Sequence, residues 1–196
     1  MKLVQKLGTI LTVALVGAAL ATSAAARPQA QMGTIVDVAA GNKNFSTLVT
    51  LVKAGGLVTA LSGDSKLTVF APTNAAFASL EKEVPGVTKA LTNPMNKALL
   101  VQVLKYHVLA GEVRSPAAIA AAKKNAMVPT LLGKNANGKL GLSLKGGKLT
   151  VADSAGIHVA TVTKADIGAS NGVIHVVNKV LIPKSVAVAL KKAGLI

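Results

Sequence analysis

The stretch from residue 171 to residue 183 constrains the fold of this chain more than any other feature. It opens with Asn171-Gly172, a turn signal because both residues tolerate positive φ. The run that follows is rich in β-branched residues and predicts a strand over Val173–Ile182. Neither face of this strand is polar throughout, so we expect cover on both sides. Pro183 lacks a backbone donor and should end the ladder, which leaves a central core strand around which the other strands pair.

The N-terminal segment has the pattern of an export signal. Lys2 and Lys6 form a basic region, residues 7–21 are mostly apolar, and residues 24–26 are small alanines suited to cleavage. The apolar run is shorter than the roughly 20 residues of a membrane span, which favours a cleaved signal over an anchor. We therefore predict a signal peptide over residues 1–26, a flexible lead over residues 27–33 and a single domain over residues 34–196. The mature protein is expected to be periplasmic or secreted, without a transmembrane anchor.

The charge of the chain favours acidic partners. Lysine and arginine total 22 against 7 aspartates and glutamates, a net charge of +15. Such a balance favours anionic polysaccharide, anionic lipid headgroups or nucleic acid, although the lysines are scattered and a solvated basic surface is the simpler interpretation. Nucleic acid is disfavoured because three phenylalanines and one tyrosine offer few stacking platforms, and because the protein leaves the cytoplasm. The chain has no cysteine, so its core forms without disulfides.

Helical patterns dominate the first part of the chain and strand patterns the last part. Helices are predicted over residues 35–40, 45–54, 57–61, 75–80, 94–108, 116–124 and 185–193. Strands are predicted over residues 66–71, 128–132, 139–144, 148–152, 158–162 and 173–182. Helices first and strands later, without a regular alternation, indicate an α+β fold.

Three blocks of the sequence stand out together. The first runs from Leu67 to Phe77, the second from Tyr106 to Gly111, and the third from Ala165 to Pro183. In this order and spacing they resemble the fasciclin (FAS1) domain family, and the resemblance covers about residues 33–196. It implies a FAS1-type β-sandwich or wedge with helices packed along it, in secreted or surface proteins that mediate adhesion. The chain resembles the single-domain bacterial secreted members most.

The residues of these blocks suit structural roles. We expect Phe70 and Phe77 to bury together across the strand-to-helix turn, and Thr73 or Asn74 to cap the helix that follows. His107 should make a buried hydrogen bond, since an unpaired buried imidazole costs roughly 1–3 kcal/mol. The other motif residues assigned a structural role are Tyr106, Asn171, Gly172, His175 and Pro183.

The pair Asp166-Ile167 is the candidate adhesion contact. In animal fasciclin proteins, an Asp-Ile pair just before the final strand is similar to an integrin-contacting motif. The flanking residues here, Lys164 and Ala165, differ from those of the animal proteins. The interpretation we prefer makes Asp166 a turn residue and Ile167 a core residue.

Catalytic and metal-binding patterns are weak. Gly168 to Gly172 matches the G-x-S-x-G pattern around Ser170, but that motif needs a helix after the turn, and a strand is predicted there. The three histidines, His107, His158 and His175, lack the spacing of a zinc site, and no phosphate-binding glycine motif occurs. We therefore predict no enzyme activity, no cofactor and no metal.

Three non-catalytic functions follow from these observations. The leading hypothesis is a secreted or periplasmic adhesion and interaction module that binds a protein or an acidic glycan at a cell surface or matrix. The alternative is a carrier of a small apolar ligand in the periplasm, with His158 or Tyr106 as a polar contact. A third hypothesis is self-association in a matrix or envelope.

Overall fold

The computed structural model describes residues 32–154, 156, 158–192 and 194. The predicted signal peptide and residues 27–31 of the predicted lead lie outside this part of the chain, and the predicted boundaries stay predictions. The helices are α1 Ile35–Ala40, α2 Ser46–Gly55, α3 Val58–Ser62, α4 Asn74–Glu83, α5 Val87–Thr92, α6 Lys97–Tyr106, α7 Ser115–Lys123 and α8 Lys184–Lys192. The strands are β1 Leu67–Pro72, β2 Val108–Ala110, β3 Met127–Pro129, β4 Lys139–Lys145, β5 Lys148–Ala152, β6 Val159–Ala169 and β7 Gly172–Val177. Single 3-10 turns cover Lys43–Phe45, Pro94–Asn96 and Ala136–Gly138.

A parallel strand pair forms the buried part of the sheet. β1 and β7 run side by side, with Leu67 opposite Gly172 and Phe70 opposite His175. The strand order is β2-β1-β7-β6-β5-β4-β3, and the other neighbouring pairs are antiparallel. Every residue of β1 and of β7 is buried, as the apolar composition of both faces predicts. The core strand expected after Asn171-Gly172 is confirmed.

β7 is shorter than its apolar pattern predicts. The ladder ends at Val177, whereas the pattern predicts a strand to Ile182. Leu181 N donates to the ring Nε2 of His107 at 3.0 Å, so this amide is satisfied by a side chain and not by a neighbouring strand. The apolar run therefore continues past the strand, through residues 180–183, which are buried but not part of the ladder.

Two hydrophobic clusters lie on opposite sides of β1 and β7. The first packs the sheet against α1 to α6 and α8. The second joins Phe70 and Val177, from β1 and β7, to Leu140 and Val151, from β4 and β5, and to alanines of α7. Because inward side chains of both halves of the sheet meet in this second cluster, the sheet turns back on itself.

The two ends of the sheet approach each other. Leu131 N, just after β3, donates to Val108 O of β2 at 2.7 Å. The result is a nearly closed wedge, with α7 on the side of the second hydrophobic cluster and the other helices on the side of the first. The predicted α+β class is confirmed.

The starts of α1 and α4 follow capping signals of the sequence, whereas several other helices begin without a side-chain cap. Thr34 caps α1 in a capping box with Asp37. Of the two candidates for α4, Thr73 is the cap, and its side chain accepts from the backbone N–H of Ala76. The second helix begins at Ser46 and not after an Asn44 cap, behind a 3-10 turn capped by Asn42.

Candidate functional site

Asp166 lies at an interruption in β6. We predicted that this strand ends at Val162, but it continues to Ala169 through two shifts of register against β7. Asp166 lies within the second shift, between Lys164 and Ile167, with a positive φ of 58°. An aspartate tolerates this conformation better than most residues do. The bulge aims a carboxylate away from the ladder and towards α7.

The Asp166 carboxylate caps α7 from another element. Its Oδ1 accepts a hydrogen bond from Ser115 N at 2.8 Å, and its Oδ2 accepts one from the Ser115 hydroxyl. Arg114, at the cap position of α7, makes no side-chain cap bond. Burial by itself raises the pKa of Asp166, but the Ser115 hydrogen bonds, with His175 and Arg114 nearby, outweigh it and lower the pKa. Asp166 therefore favours the charged form and stabilises the start of the helix.

Ile167, the other half of the candidate contact, is half-buried. It packs against the first hydrophobic cluster. The surroundings of Asp166 and Ile167 fit the turn and core interpretation, and the adhesion contact stays a prediction.

His175 lies on β7 beside the bulge and is buried. Its ring Nδ1 accepts from Asp166 N at 3.3 Å, so Nε2 carries the proton and donates to Val113 O at 2.8 Å. The ring lies beside that of Phe70, with centroids 5.6 Å apart. Both ring nitrogens are used inside the fold, which leaves neither for a ligand.

His107 follows α6 and is also buried. Its Nε2 accepts from Leu181 N, so Nδ1 carries the proton and donates to Val103 O at 2.8 Å. Burial lowers the pKa of His107 to about 4. The ring is therefore neutral at ordinary pH and fixes the segment after β7 to α6.

Tyr106 and Pro183, two further motif residues, make hydrogen bonds that hold the C-terminal third of the chain in place. The Tyr106 hydroxyl donates to Lys139 O at 2.8 Å and accepts from Ser154 N at 2.6 Å. Burial raises the pKa of Tyr106. Pro183 O accepts from Val186 N at 2.9 Å and so begins α8.

Asn74 serves a different helix from the one expected. Its Oδ1 accepts from Thr47 N at 3.0 Å, and its Nδ2 donates to Lys43 O and Ser46 Oγ, each at 2.9 Å. The expectation that Asn74 satisfies amides at the start of its own helix is wrong. It satisfies a free amide of α2 and holds the α2 and α4 starts together.

The two phenylalanines of the first block do not bury together, so that expectation is also wrong. Phe70 belongs to the second hydrophobic cluster, whereas Phe77 belongs to the first. Successive side chains of a strand point to opposite faces, and Phe70 points away from the face on which α4 packs.

The turn at Asn171-Gly172 joins three elements. Asn171 Oδ1 accepts from Ile35 N at 2.9 Å, and its Nδ2 donates to Leu61 O and Gly63 O, each at 2.8 Å. A Cβ at position 172 would lie 1.9 Å from the carbonyl oxygen of the facing strand residue. Only glycine fits this close approach.

An apolar cleft lies between the sheet and the first helices. Its cavity measures about 30 Å³, and it is lined by residues of α1, α2, α3, β1, α6, β2 and β7 and by His107. His107 is the one polar residue of the lining, and its ring nitrogens are already bonded. His158 and Tyr106, the polar contacts predicted for a carrier, do not line this cleft. In the sequence, the lining residues look like ordinary core residues. They come from distant parts of the chain, so no local pattern indicates that they meet at one cleft.

The arrangement around His158 and Ser170 shows no assembled catalytic triad. His158 Nδ1 lies 2.9 Å from Asp153 Oδ2, and its Nε2 lies 3.6 Å from Glu83 Oε2, whose other oxygen pairs with Lys179. Ser170 is exposed at the turn before β7, and the described ring bonds of the three histidines go to other groups. Within residues 32–154 and 158–192, no group of three or more His, Cys, Asp and Glu is placed to hold a metal ion.

The acidic side chains are largely used inside the fold. Carboxylate contacts join Asp37 to Thr34, Glu81 to Gly86 and Thr88, Glu83 to Lys179, Glu112 to Arg114, Asp153 to His158, and Asp166 to Ser115. Among the described residues, two of these contacts neutralise a lysine or arginine, at Lys179 and Arg114. The other lysines of the described part form no ion pair there, so most of the positive charge at the surface is uncompensated.

A model of the fasciclin domain matches residues 43–183. The chain belongs to the fasciclin domain family. One fasciclin relative, protein sll1483 of Synechocystis, is 46% identical over 150 residues, which cover 76% of this chain and 73% of that protein. Immunogenic protein MPB70 of Mycobacterium bovis is 30% identical over 184 residues, 86% of this chain and 82% of its own length. Transforming growth factor-beta-induced protein ig-h3 of Sus scrofa is 36% identical over 156 residues, which cover 78% of this chain but 20% of ig-h3.

The fold of this fasciclin chain is similar to a solved structure. A FAS1 domain pair from the insect cell adhesion molecule Fasciclin I superposes with a TM-score of 0.69 at 16% identity. The match covers 80% of this chain and 53% of that one. At this identity the likeness shows the fold, and the predicted FAS1-type wedge is confirmed. None of the described helices has the length and hydropathy needed to cross a membrane.

Proposed function

We propose that this fasciclin protein is an exported, non-catalytic interaction module that binds an acidic glycan or protein at a cell surface or matrix. The observation that carries the proposal is the uncompensated positive charge. The fold uses its carboxylates mostly as helix caps and in hydrogen bonds to backbone and hydroxyl groups, and most lysines of the described residues have no counter-ion. Such a surface attracts and holds polyanions. The solved relative Fasciclin I is a cell adhesion molecule, which supports an interaction role.

A salt series tests this proposal. The purified protein is passed over immobilised dextran sulfate and over neutral dextran, from about 0.05 M to about 0.5 M NaCl. Saturable capture by the sulfated polymer is expected at low salt and should weaken steeply as the Debye length falls below about 10 Å. Capture that neither salt nor removal of the sulfate changes would refute an electrostatic function.

A second candidate function is a carrier of a small apolar ligand. The cleft beneath α1 and α2 is lined by apolar side chains, but its cavity of about 30 Å³ is far below the roughly 300–1,000 Å³ of ligand sites, so a ligand has to displace α1 or α2 to enter. Its lining supplies no free polar group, so a suitable ligand is a neutral hydrocarbon without a headgroup.

Substitution inside the cleft tests the carrier. Native mass spectrometry of the purified protein should find an apolar molecule bound, and Ala39→Leu, which fills the cleft from α1, should remove it. Ala75→Leu, at an exposed position of α4, is the matched control and should retain the ligand. A clean mass spectrum of the unmodified protein would rule out the carrier.

A further inference from the structure

One face of the β4–β5–β6 region is polar and basic. The register places Gly141 beside Ala152, and Ala152 beside Val159, so their side chains share one face of the sheet. Leu140, Leu142, Val151 and Ala160 point the other way, into the second hydrophobic cluster. By strand alternation, the outer face consists of Lys139, Gly141, Ser143, Lys145, Lys148, Thr150, Ala152, Val159 and Thr161.

The charges of the outer face are unbalanced. Lys145 and Lys148 stand directly opposite each other at the end of the hairpin, and both are exposed. Like charges at this position repel and lower stability. Lys139 adds a third cation at the other end of β4, and the residues of the outer face include no carboxylate. Since the hairpin turn is already formed by Gly146 and Gly147, the repulsion has no evident role in the fold.

We propose that the outer face is the binding site for an anionic polysaccharide. The inference rests on the proposed function and assigns it a surface. Lys139 and the Lys145–Lys148 pair lie about 20 Å apart along β4, because a strand rises about 3.4 Å per residue. An extended polymer lying along β4 meets ammonium groups at both ends and the hydroxyls of Ser143 and Thr161 between them.

The composition of the outer face favours a polysaccharide over an acidic protein. Stable protein interfaces centre on buried aromatic or arginine anchors. The outer face has neither, and between its lysines lie Gly141, Ala152, Val159 and small hydroxyl residues, of which Val159 is the one large apolar side chain. A flat surface with charges at its ends suits a flexible chain of repeated anionic groups, which gains affinity from several weak contacts.

A matched pair of triple variants tests the site. Lys139→Gln, Lys145→Gln and Lys148→Gln together remove three charges from the outer face. Lys89→Gln, Lys184→Gln and Lys191→Gln remove three from exposed positions of α5 and α8. We expect the outer-face triple to weaken dextran sulfate binding about tenfold or more, and the control triple less than about threefold. Bound dextran sulfate should also protect Lys139, Lys145 and Lys148 of the unmodified protein from acetylation.

The outcomes separate the site from the function. Equal weakening by both triples would overturn the outer face as the site while leaving polyanion binding in place. Absence of any binding by the unmodified protein at low salt would refute the proposed function, and the site with it. Binding to phosphatidylserine vesicles or to an acidic protein that is tighter than binding to dextran sulfate, and that the outer-face triple abolishes, would overturn the polysaccharide as the ligand.

Discussion

Polar side chains are buried and fully hydrogen-bonded beside the β1–β7 pair, whereas the facing lysines of the β4–β5 hairpin are exposed. Beside β1 and β7, the side chains of His107, Asn171 and His175 are buried, and all their nitrogen and oxygen atoms have partners inside the fold. On the hairpin, Lys145 and Lys148 face each other in solvent with no ion pair among the described residues. In the β1–β7 region, buried polar side chains stabilise the fold through their hydrogen bonds. On the β4–β5 hairpin, the charged side chains make no hydrogen bond or ion pair within the described part of the chain that would stabilise the fold.

This difference explains why the sequence motifs indicate the fold but not the binding surface. The three blocks that resemble fasciclin domains fall on the buried region and its flanks, and none includes the hairpin. Burial restricts residue type strongly, because a buried donor or acceptor needs a partner of the right geometry. The motifs therefore identify the scaffold, and binding has to be sought elsewhere. Substitutions in the buried region should lower stability, whereas those on the hairpin should change binding.

The largest expected loss of stability is at Gly172. An added Cβ would lie 1.9 Å from Leu67 O, a backbone atom of the neighbouring strand, and φ is +152°. We expect Gly172→Ala to lower the free energy of unfolding by more than about 4 kcal/mol, measured by urea denaturation. A variant that fails to fold agrees with this expectation, and a loss below about 1 kcal/mol contradicts it.

Gly141→Ala on the outer face is the matched control. A Cβ there would lie 3.3 Å from Met127 Sδ, the end of a flexible side chain that can move aside. The loss should be below about 1 kcal/mol. Similar losses of unfolding free energy at Gly172 and Gly141 would contradict the difference in packing between the β1–β7 region and the outer face.

Acidic pH should destabilise the protein through His107. Its pKa is about 4 in the folded state, compared with 6.5 for an ordinary histidine. Between these values the unfolded chain binds more protons, so stability rises with pH and is lost as pH falls from about 6.5 to about 4. We expect a loss of about 3 kcal/mol between pH 7 and pH 4, measured by urea unfolding.

The His107→Gln variant isolates this effect. It removes the titrating ring, so its stability should be lower at pH 7 but nearly constant between pH 7 and pH 5. Carboxylates with a lowered pKa, such as Asp166 and Glu83, lose their contribution as pH falls below their ordinary range, near and below about pH 4. A pH slope in His107→Gln as steep as that of the unmodified protein would assign the loss to other groups.

Local patterns predicted the fold class and most helix starts. Thr34 and Thr73 cap the helices that directly follow them, because a cap acts within one turn. The Asn171-Gly172 turn and the buried strand after it likewise follow from neighbouring residues. These features depend on separations of a few residues, which a sequence displays directly.

Long-range contacts were beyond the same patterns. Asn74 bonds to residues 27 to 31 positions away, and Asp166 to a residue 51 positions away. Nothing in the neighbourhood of either residue indicates its partner. The apolar cleft and the outer face also depend on which segments meet, so both were missed. The adhesion contact predicted at Asp166-Ile167 is equally hard to judge from the sequence. The role of Asp166 depends on its hydrogen bonds to α7, which is distant along the chain.

Replacing Asp166 separates a capping role from a contact role. Asp166→Ala removes both hydrogen bonds to Ser115 and should cost about 1–2 kcal/mol in urea unfolding. Asp166→Asn should cost less, because its amide oxygen still accepts a hydrogen bond and asparagine tolerates positive φ. Asp64→Ala, at an exposed acidic residue, is the control and should change nothing. Unchanged stability of Asp166→Ala combined with lost capture would instead identify a contact residue.

The smallest expected effect has the opposite sign and belongs to the hairpin. Lys148→Glu converts the repulsion with Lys145 into attraction, so we expect a gain of about 0.5 kcal/mol in the free energy of unfolding. The gain should shrink in about 0.5 M salt, since both side chains are exposed. Lys191→Glu makes the same change in net charge on α8 and should give less. Equal gains would attribute the effect to net charge, whereas a gain confined to Lys148→Glu together with weaker polyanion binding would show that the hairpin sacrifices stability for its ligand.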